Sequence, residues 1–168
     1  MKNKKLIYVI LAVVVLTAGG FFYWQKQNEE FRLITDETEM TKFVMTHSQE
    51  ELDEYYRKVD ELKASDTYGG KTPEETMELY IDALKKGDVE LASKYFDWID
   101  QEKEINELKD LSKEQIDDYL NVLQIKNEVS CNDVMGWCES HGNYKGVNIL
   151  IARFIKIEQS GLWKLESL

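Results

Sequence analysis

The sequence has little of several things that would place it quickly. One proline and nine glycines in 168 residues exclude a collagen-like or low-complexity chain. Two cysteines are too few for a disulfide-dense scaffold. Basic residues are outnumbered by acids, 21 against 32, for a formal charge of −11. A nucleic-acid partner needs a basic face to neutralise phosphate, so the charge balance argues against DNA and RNA. The two histidines, His47 and His141, lie far apart and neither belongs to a serine or cysteine nucleophile motif, so both read as solvated loop residues. What is present, 43% hydrophobic residues, suffices for the core of one domain once the N-terminal segment is set aside.

That segment carries no charge for 19 positions between Leu6 and Trp24. As a helix it spans about 28 Å, close to the roughly 30 Å hydrocarbon thickness of a bilayer. Lys2, Lys4 and Lys5 precede it, and Phe21, Phe22, Tyr23 and Trp24 close it, which is the pattern of a basic cytoplasmic flank and an interfacial aromatic belt. All 32 acids follow Trp24, against 18 of the 21 bases, so the remainder has a formal charge of −14. The expectation is a single-pass anchor in a bacterial cell membrane, N-terminus inside and C-terminal domain extracytoplasmic. The competing reading is a cleaved signal peptide with Ala18, Gly19 and Gly20 as the cleavage site; the aromatics beyond that site favour the anchor.

The pattern divides the chain into a basic flank (1–5), the anchor (6–24), a juxtamembrane and helical segment (25–71) and a main domain (72–168). Residues 25–46 follow no single period, and acidic 36–39 interrupts their apolar positions. Ser48 and Glu51 have capping-box spacing, and Leu52, Tyr55, Tyr56, Val59 and Leu62 form the stripe of a helix over 49–63. Thr72, Pro73 and Glu75 start the clearest helix, with Met77, Tyr80, Ile81 and Leu84 facing inward and Gly87 ending it. Asp88 caps another helix, whose inward face is Val89, Ala92, Tyr95, Phe96 and Ile99. Residues 100–111 and 113–123 continue helical, with Ser112 and Gln115 as a second capping box. Residues 125–130, 147–157 and 162–168 read as strands, the last two joined by a turn at 159–161. Helices followed by an antiparallel meander make the domain α+β.

The run Thr-Pro-Glu-Glu-Thr-Met-Glu-Leu-Tyr-Ile-Asp-Ala-Leu-Lys-Lys-Gly-Asp-Val-Glu-Leu-Ala-Ser-Lys-Tyr-Phe over 72–96 resembles the opening helices of nuclear-transport-factor-2-like, or cystatin-like cone, domains. Residues 154–168, with Gly161, Leu162, Trp163, Lys164 and Leu165, resemble their last hairpin, and the match is nearest to small membrane-anchored bacterial proteins. The resemblance implies helices laid across a curved antiparallel sheet around a conical pocket. Enzymes of that superfamily use a buried aspartate or histidine with tyrosines, but no motif here carries such a role to a particular position. The helical sequence over 101–123 and the count of three strands depart from the family pattern.

Cys131 and Cys138 are the two cysteines, an even count on the side expected to be oxidising. Gly136 lets the chain turn between them, so a disulfide is expected, with Cα atoms about 4.4–6.8 Å apart. The alternatives are a mixed zinc set of Cys131, Asp133, Cys138 and His141, whose spacing fits no usual pair, and two inert thiols. Gly70, Lys71 and Thr72 before a helix lack the earlier glycine and strand of a phosphate loop, and Thr72 is needed as a cap. The acids over 102–118 alternate with lysines as solvated helix faces do. Tyr80, Tyr95, Phe96, Trp98 and Trp163 are the candidates for lining an apolar pocket, at a spacing that serves a core equally well. No motif calls for a metal or cofactor. The expected function is a non-catalytic envelope protein whose domain binds a protein partner or small ligand. Its rivals are a pocket enzyme, hydrolase or isomerase, with a perturbed carboxylate or histidine in a concave site, and an assembly subunit with a large exposed apolar patch.

Overall fold

The computed structural model describes residues 31–132 and 134–168. The expected anchor, residues 6–24, lies outside them, and among the described residues no helix is long and apolar enough to cross a membrane. The chain divides into Met1–Ile34 and Thr35–Leu168, and the fold below is that of the second unit.

Its helices begin where short polar side chains can satisfy open backbone N–H groups. Asp36 accepts from the Glu39 N–H at 2.7 Å and opens α1 (Glu37–Thr46), so the acidic stretch that breaks the apolar pattern is a helix start rather than a linker. Ser48 opens α2 (Gln49–Ser65) with both bonds of its capping box in place. Of the expected α2 stripe, Tyr55 is buried while Tyr56 and Leu62 are exposed. Thr72 caps α3 (Pro73–Lys85), which buries Met77, Tyr80, Ile81 and Leu84 as its spacing predicts. Glu75 reaches the Lys71 N–H at 2.6 Å rather than closing its box on Thr72. Gly87 takes the left-handed conformation, φ 71°, that ends this helix.

The next helix is shorter than its pattern. α4 (Val89–Ser93) stops after five residues, because residues 95–97 leave it to pair with the edge of the sheet. The Leu165 N–H donates to the Tyr95 carbonyl at 2.9 Å and the Asp97 N–H to the Leu165 carbonyl at 2.8 Å. Ile99, expected to face inward, is exposed. α5 (Gln101–Asp110) and α6 (Lys113–Leu123) follow, the latter with a complete capping box.

The sheet has four antiparallel strands, not three, in the order β1 (Asn127–Asn132), β2 (Trp137–Tyr144), β3 (Val147–Lys156), β4 (Trp163–Ser167). β2 escapes the sequence reading because Glu139, Ser140, Gly142 and Asn143 are poor strand formers. Its inward positions, Cys138, Ser140 and Gly142, are buried and small. A methyl on Gly142 would stand 2.6 Å from Ile151. One row crosses the sheet from Cys131 through Cys138, Phe154 and Leu165 to Phe96. Cys131 and Cys138 face each other directly and form the expected disulfide, with Cα atoms 4.0 Å apart, closer than the expected range. Both thiols are thereby taken from the alternative zinc set.

α3, α4 and the two helices after them cover one face of this sheet. Tyr80, Leu84, Phe96, Phe154 and Leu165 share a single buried cluster, with Trp163 half-buried against it. Tyr80 meets Phe96 edge-on, ring centroids 5.5 Å apart.

α3 is fastened to β4 through Gly70. The Gly70 N–H donates to the Thr76 hydroxyl at 2.9 Å, that hydroxyl lies 2.9 Å from the Trp163 carbonyl, and the Trp163 N–H donates to the Gly70 carbonyl at 2.8 Å. A Cβ on Gly70 would sit 2.5 Å from the Thr76 backbone nitrogen, which cannot yield without opening the first turn of α3. Gly70→Ala is therefore expected to cost about 3 kcal/mol, the upper part of the usual overpacking range, as read by denaturant unfolding. Reducing the disulfide, which closes a loop across a separation of seven residues, should lower stability by about 2 kcal/mol in the same measurement.

Candidate functional site

A cleft of about 480 Å³ opens where α5, α6 and the last residue meet, lined by Glu104, Glu107, Leu108, Asp110, Leu111, Tyr119 and Leu168. Glu104 and Leu108 are one turn apart and Leu111 follows at the next, so the carboxyl lies on the apolar stripe of α5. Packing of that stripe leaves Glu104 only 9% exposed. The Tyr80 hydroxyl, reaching up from the core on α3, donates to Glu104 Oε1 at 2.7 Å, and the Tyr119 hydroxyl stands 3.4 Å from that of Tyr80.

Burial pushes the Glu104 carboxyl above its ordinary value, against the hydrogen bond from Tyr80, with Glu107 and Asp100 pushing the same way as burial and Lys103 opposing. Tyr80 and Tyr119 are also raised, first by burial, so both stay protonated at any physiological pH. The lining holds three carboxyl groups and no basic side chain. Its other walls are apolar, so the cleft suits a positive group, or a proton transfer at Glu104 when that group is protonated.

A second polar cluster lies on the other face of the sheet. Lys164 is fully buried, with Nζ 2.6 Å from Asp66 Oδ2, donating to the Lys94 carbonyl at 2.7 Å and 4.8 Å from the Trp98 ring centroid. Burial holds the Lys164 ammonium below its ordinary value while Asp66 pulls it back up. Burial raises Asp97 nearby, with Lys63 and Lys164 opposing. With these partners taken, the cluster anchors the end of α2. A shallower depression along α2, about 610 Å³, is lined by Asp53, Tyr56, Arg57, Asp60, Glu61, Ala64 and Gln159. Its charges are engaged: Arg57 bonds Glu54 and Glu61, and Asp60 accepts from Gln159.

Four of the five aromatic candidates gather at the core, and the fifth, Trp98, is not part of that cluster. Tyr80 and Phe96 are core, and Tyr80 alone reaches the cleft, by its hydroxyl. Tyr95 is buried beside Tyr68, Trp98 lies near both Lys63 and Lys164, and Trp163 borders the core. No sequence motif marks Glu104, Tyr119 or Leu168 as site residues. Glu104 falls in the acidic 102–118 run expected to be solvated, and the signal that sets it apart is an acid in register with Leu108 and Leu111. His141 stands on β2, not in a loop, 3.8 Å from Glu139. Among the described residues, no group of three or more His, Cys, Asp or Glu is placed to hold a metal ion. No family model, curated protein or solved structure matches this chain.

The raised Glu104 pKa sets a pH dependence. Folding favours the protonated carboxyl, so its contribution is fully present below the ordinary value of 4.5 and is lost as pH rises through the higher folded value. Thermal unfolding of Glu104→Gln and the parent chain between pH 4 and 7 should show the variant gaining on the parent as pH rises. Asp97 contributes alike in both and cancels.

Proposed function

We propose that the chain is a single-pass protein of a bacterial cell membrane, held by residues 6–24, whose acidic extracytoplasmic α+β domain, of the nuclear-transport-factor-2-like or cystatin-like cone kind, binds a ligand or protein partner without transforming it. The cleft carries this reading: a concave space beside the core whose lining combines apolar walls with a buried, hydrogen-bonded carboxyl. Support for the placement comes from the uncharged N-terminal run, the −14 charge beyond it and a disulfide suited to an oxidising compartment. Support for the cone fold comes from helices packed on one face of a four-stranded antiparallel sheet. The core aromatics occupy the space over the sheet, which leaves the rim at α5 and α6 as the place for a ligand.

One observation favours the rival pocket enzyme, a hydrolase or isomerase: Glu104 is a desolvated carboxyl with a tyrosine bonded to it, the environment of a general acid or base. An assembly subunit has less behind it, because the exposed large apolar residues are scattered over α1, α2, the 134–135 turn, the β2–β3 hairpin and single positions such as Tyr68 and Ile99.

On fractionation the full-length chain should remain with the membrane, and protease added from outside should remove the domain; a soluble chain beginning near Phe21 would overturn the anchor. A bound ligand should be recovered chemically unchanged, whereas turnover abolished by Glu104→Gln would establish the enzyme instead.

A further inference from the structure

We infer that the cleft between α5 and α6 is a binding site for an organic cation, a primary ammonium or guanidinium group on a short apolar stem; this deepens the reading of the domain as a binding module and rests on it. Glu104 is nine-tenths buried and lines the cleft, yet the only hydrogen bond to its carboxyl among the described residues, from Tyr80, takes Oε1 alone. Oε2 has no such partner. Oε2 is not among the buried, unpartnered atoms of the described residues, so it stays open to the cleft, and no lysine or arginine lines the cleft to pair with it. Lys103 on the same helix pairs with Glu107 at 3.9 Å, and Lys109 with Glu90, also at 3.9 Å.

The remaining lining decides between ligand classes. An anion would meet three carboxyl groups. A wholly apolar molecule would desolvate Glu104 further without answering its charge. A bare divalent ion asks for six or more oxygens, whereas Leu108, Leu111 and Leu168 wall off this space. A cation on an apolar stem satisfies both halves: its charged head meets Glu104 Oε2, with Glu107 and Asp110 at the margin, and its stem lies along the leucines and the Tyr119 ring.

Binding is also coupled to protons. The groups facing Glu104 are Tyr80 on α3, Tyr119 on α6, and Asp100, Lys103 and Glu107 on or beside α5. Tyr80 and Tyr119 do not titrate near neutrality, so the cation competes with the Glu104 proton and affinity rises with pH through that titration.

The test titrates the full-length chain in detergent micelles with pentylamine, an acetyl-Gly-Lys-Gly-amide peptide, 1-pentanol and pentanoate, following the Tyr119 ring signals by NMR. Saturable Tyr119 shifts are expected with a cation, with alcohol and carboxylate at least tenfold weaker, affinity rising between pH 5 and 8, and at least a tenfold loss in Glu104→Gln. Glu50→Gln, on α2 and outside the cleft lining, should bind as the parent does, and unfolding curves confirm that both variants fold. Response to pentylamine alone marks a small-molecule ligand, and response to the lysyl peptide a basic side chain of a polypeptide partner. Equal or tighter binding of pentanol or pentanoate at Tyr119 overturns the cation and leaves the binding module standing. Silence of Tyr119 toward every probe overturns the cleft as a site and with it the observation on which the binding module rests.

Discussion

A single backbone crossing sets the frame of this domain: Gly70 passes between the first turn of α3 and the start of β4 with no room for a side chain. Three hydrogen-bonding groups, the Thr76 hydroxyl and the backbones of Gly70 and Trp163, close around it. Because α3 presents most of its inward face to the sheet, fixing its first turn against β4 places Tyr80 and Leu84 over Phe154 and Leu165. Phe96 then completes the row by pairing beside Leu165, which also shields one sheet edge from unwanted strand pairing.

The opposite face of β4 is held differently. Side chains alternate along a strand, so Leu165 in the core requires Lys164 on the other side. There the ammonium is covered by Asp66, the Lys94 carbonyl and Trp98. A buried ion pair of this kind adds little net stability over an apolar pair, because desolvation offsets the attraction. Its value is in position: the acid that pairs directly with that lysine sits at the end of α2, so the pairing helps to fix where α2 docks.

The same accounting makes the cleft informative. Lys164 has its counter-charge inside the fold, whereas Glu104, 9% exposed, has a tyrosine hydroxyl, neighbouring acids and Lys103 on its own helix. Stability alone would favour glutamine or leucine at that position. A desolvated carboxyl facing a concave space is the sort of local cost that sites carry and the rest of a fold offsets.

Much of the fold was legible in sequence because its signals are local. Ser48, Thr72, Asp88 and Ser112 cap helices by reaching a few residues along the chain, Gly87 turns because it lacks a Cβ, and the α+β class follows from a change of period after residue 124. The disulfide was equally readable, from two cysteines a turn apart. Tertiary contact alone decided the rest. β2 is a strand because its neighbours on both sides supply the ladder and its small residues admit the helices packed above. α4 ends early because residues 95–97 bond to β4, a partner some 70 residues away. Glu104 became a site candidate through burial, since spacing marks an acid on an apolar stripe but does not reveal that Tyr80 rises from the core to meet it. Local pattern sets the caps, most of the helices and the class; packing decides the remaining elements and which polar groups are taken out of water, and that is where the chemistry lies.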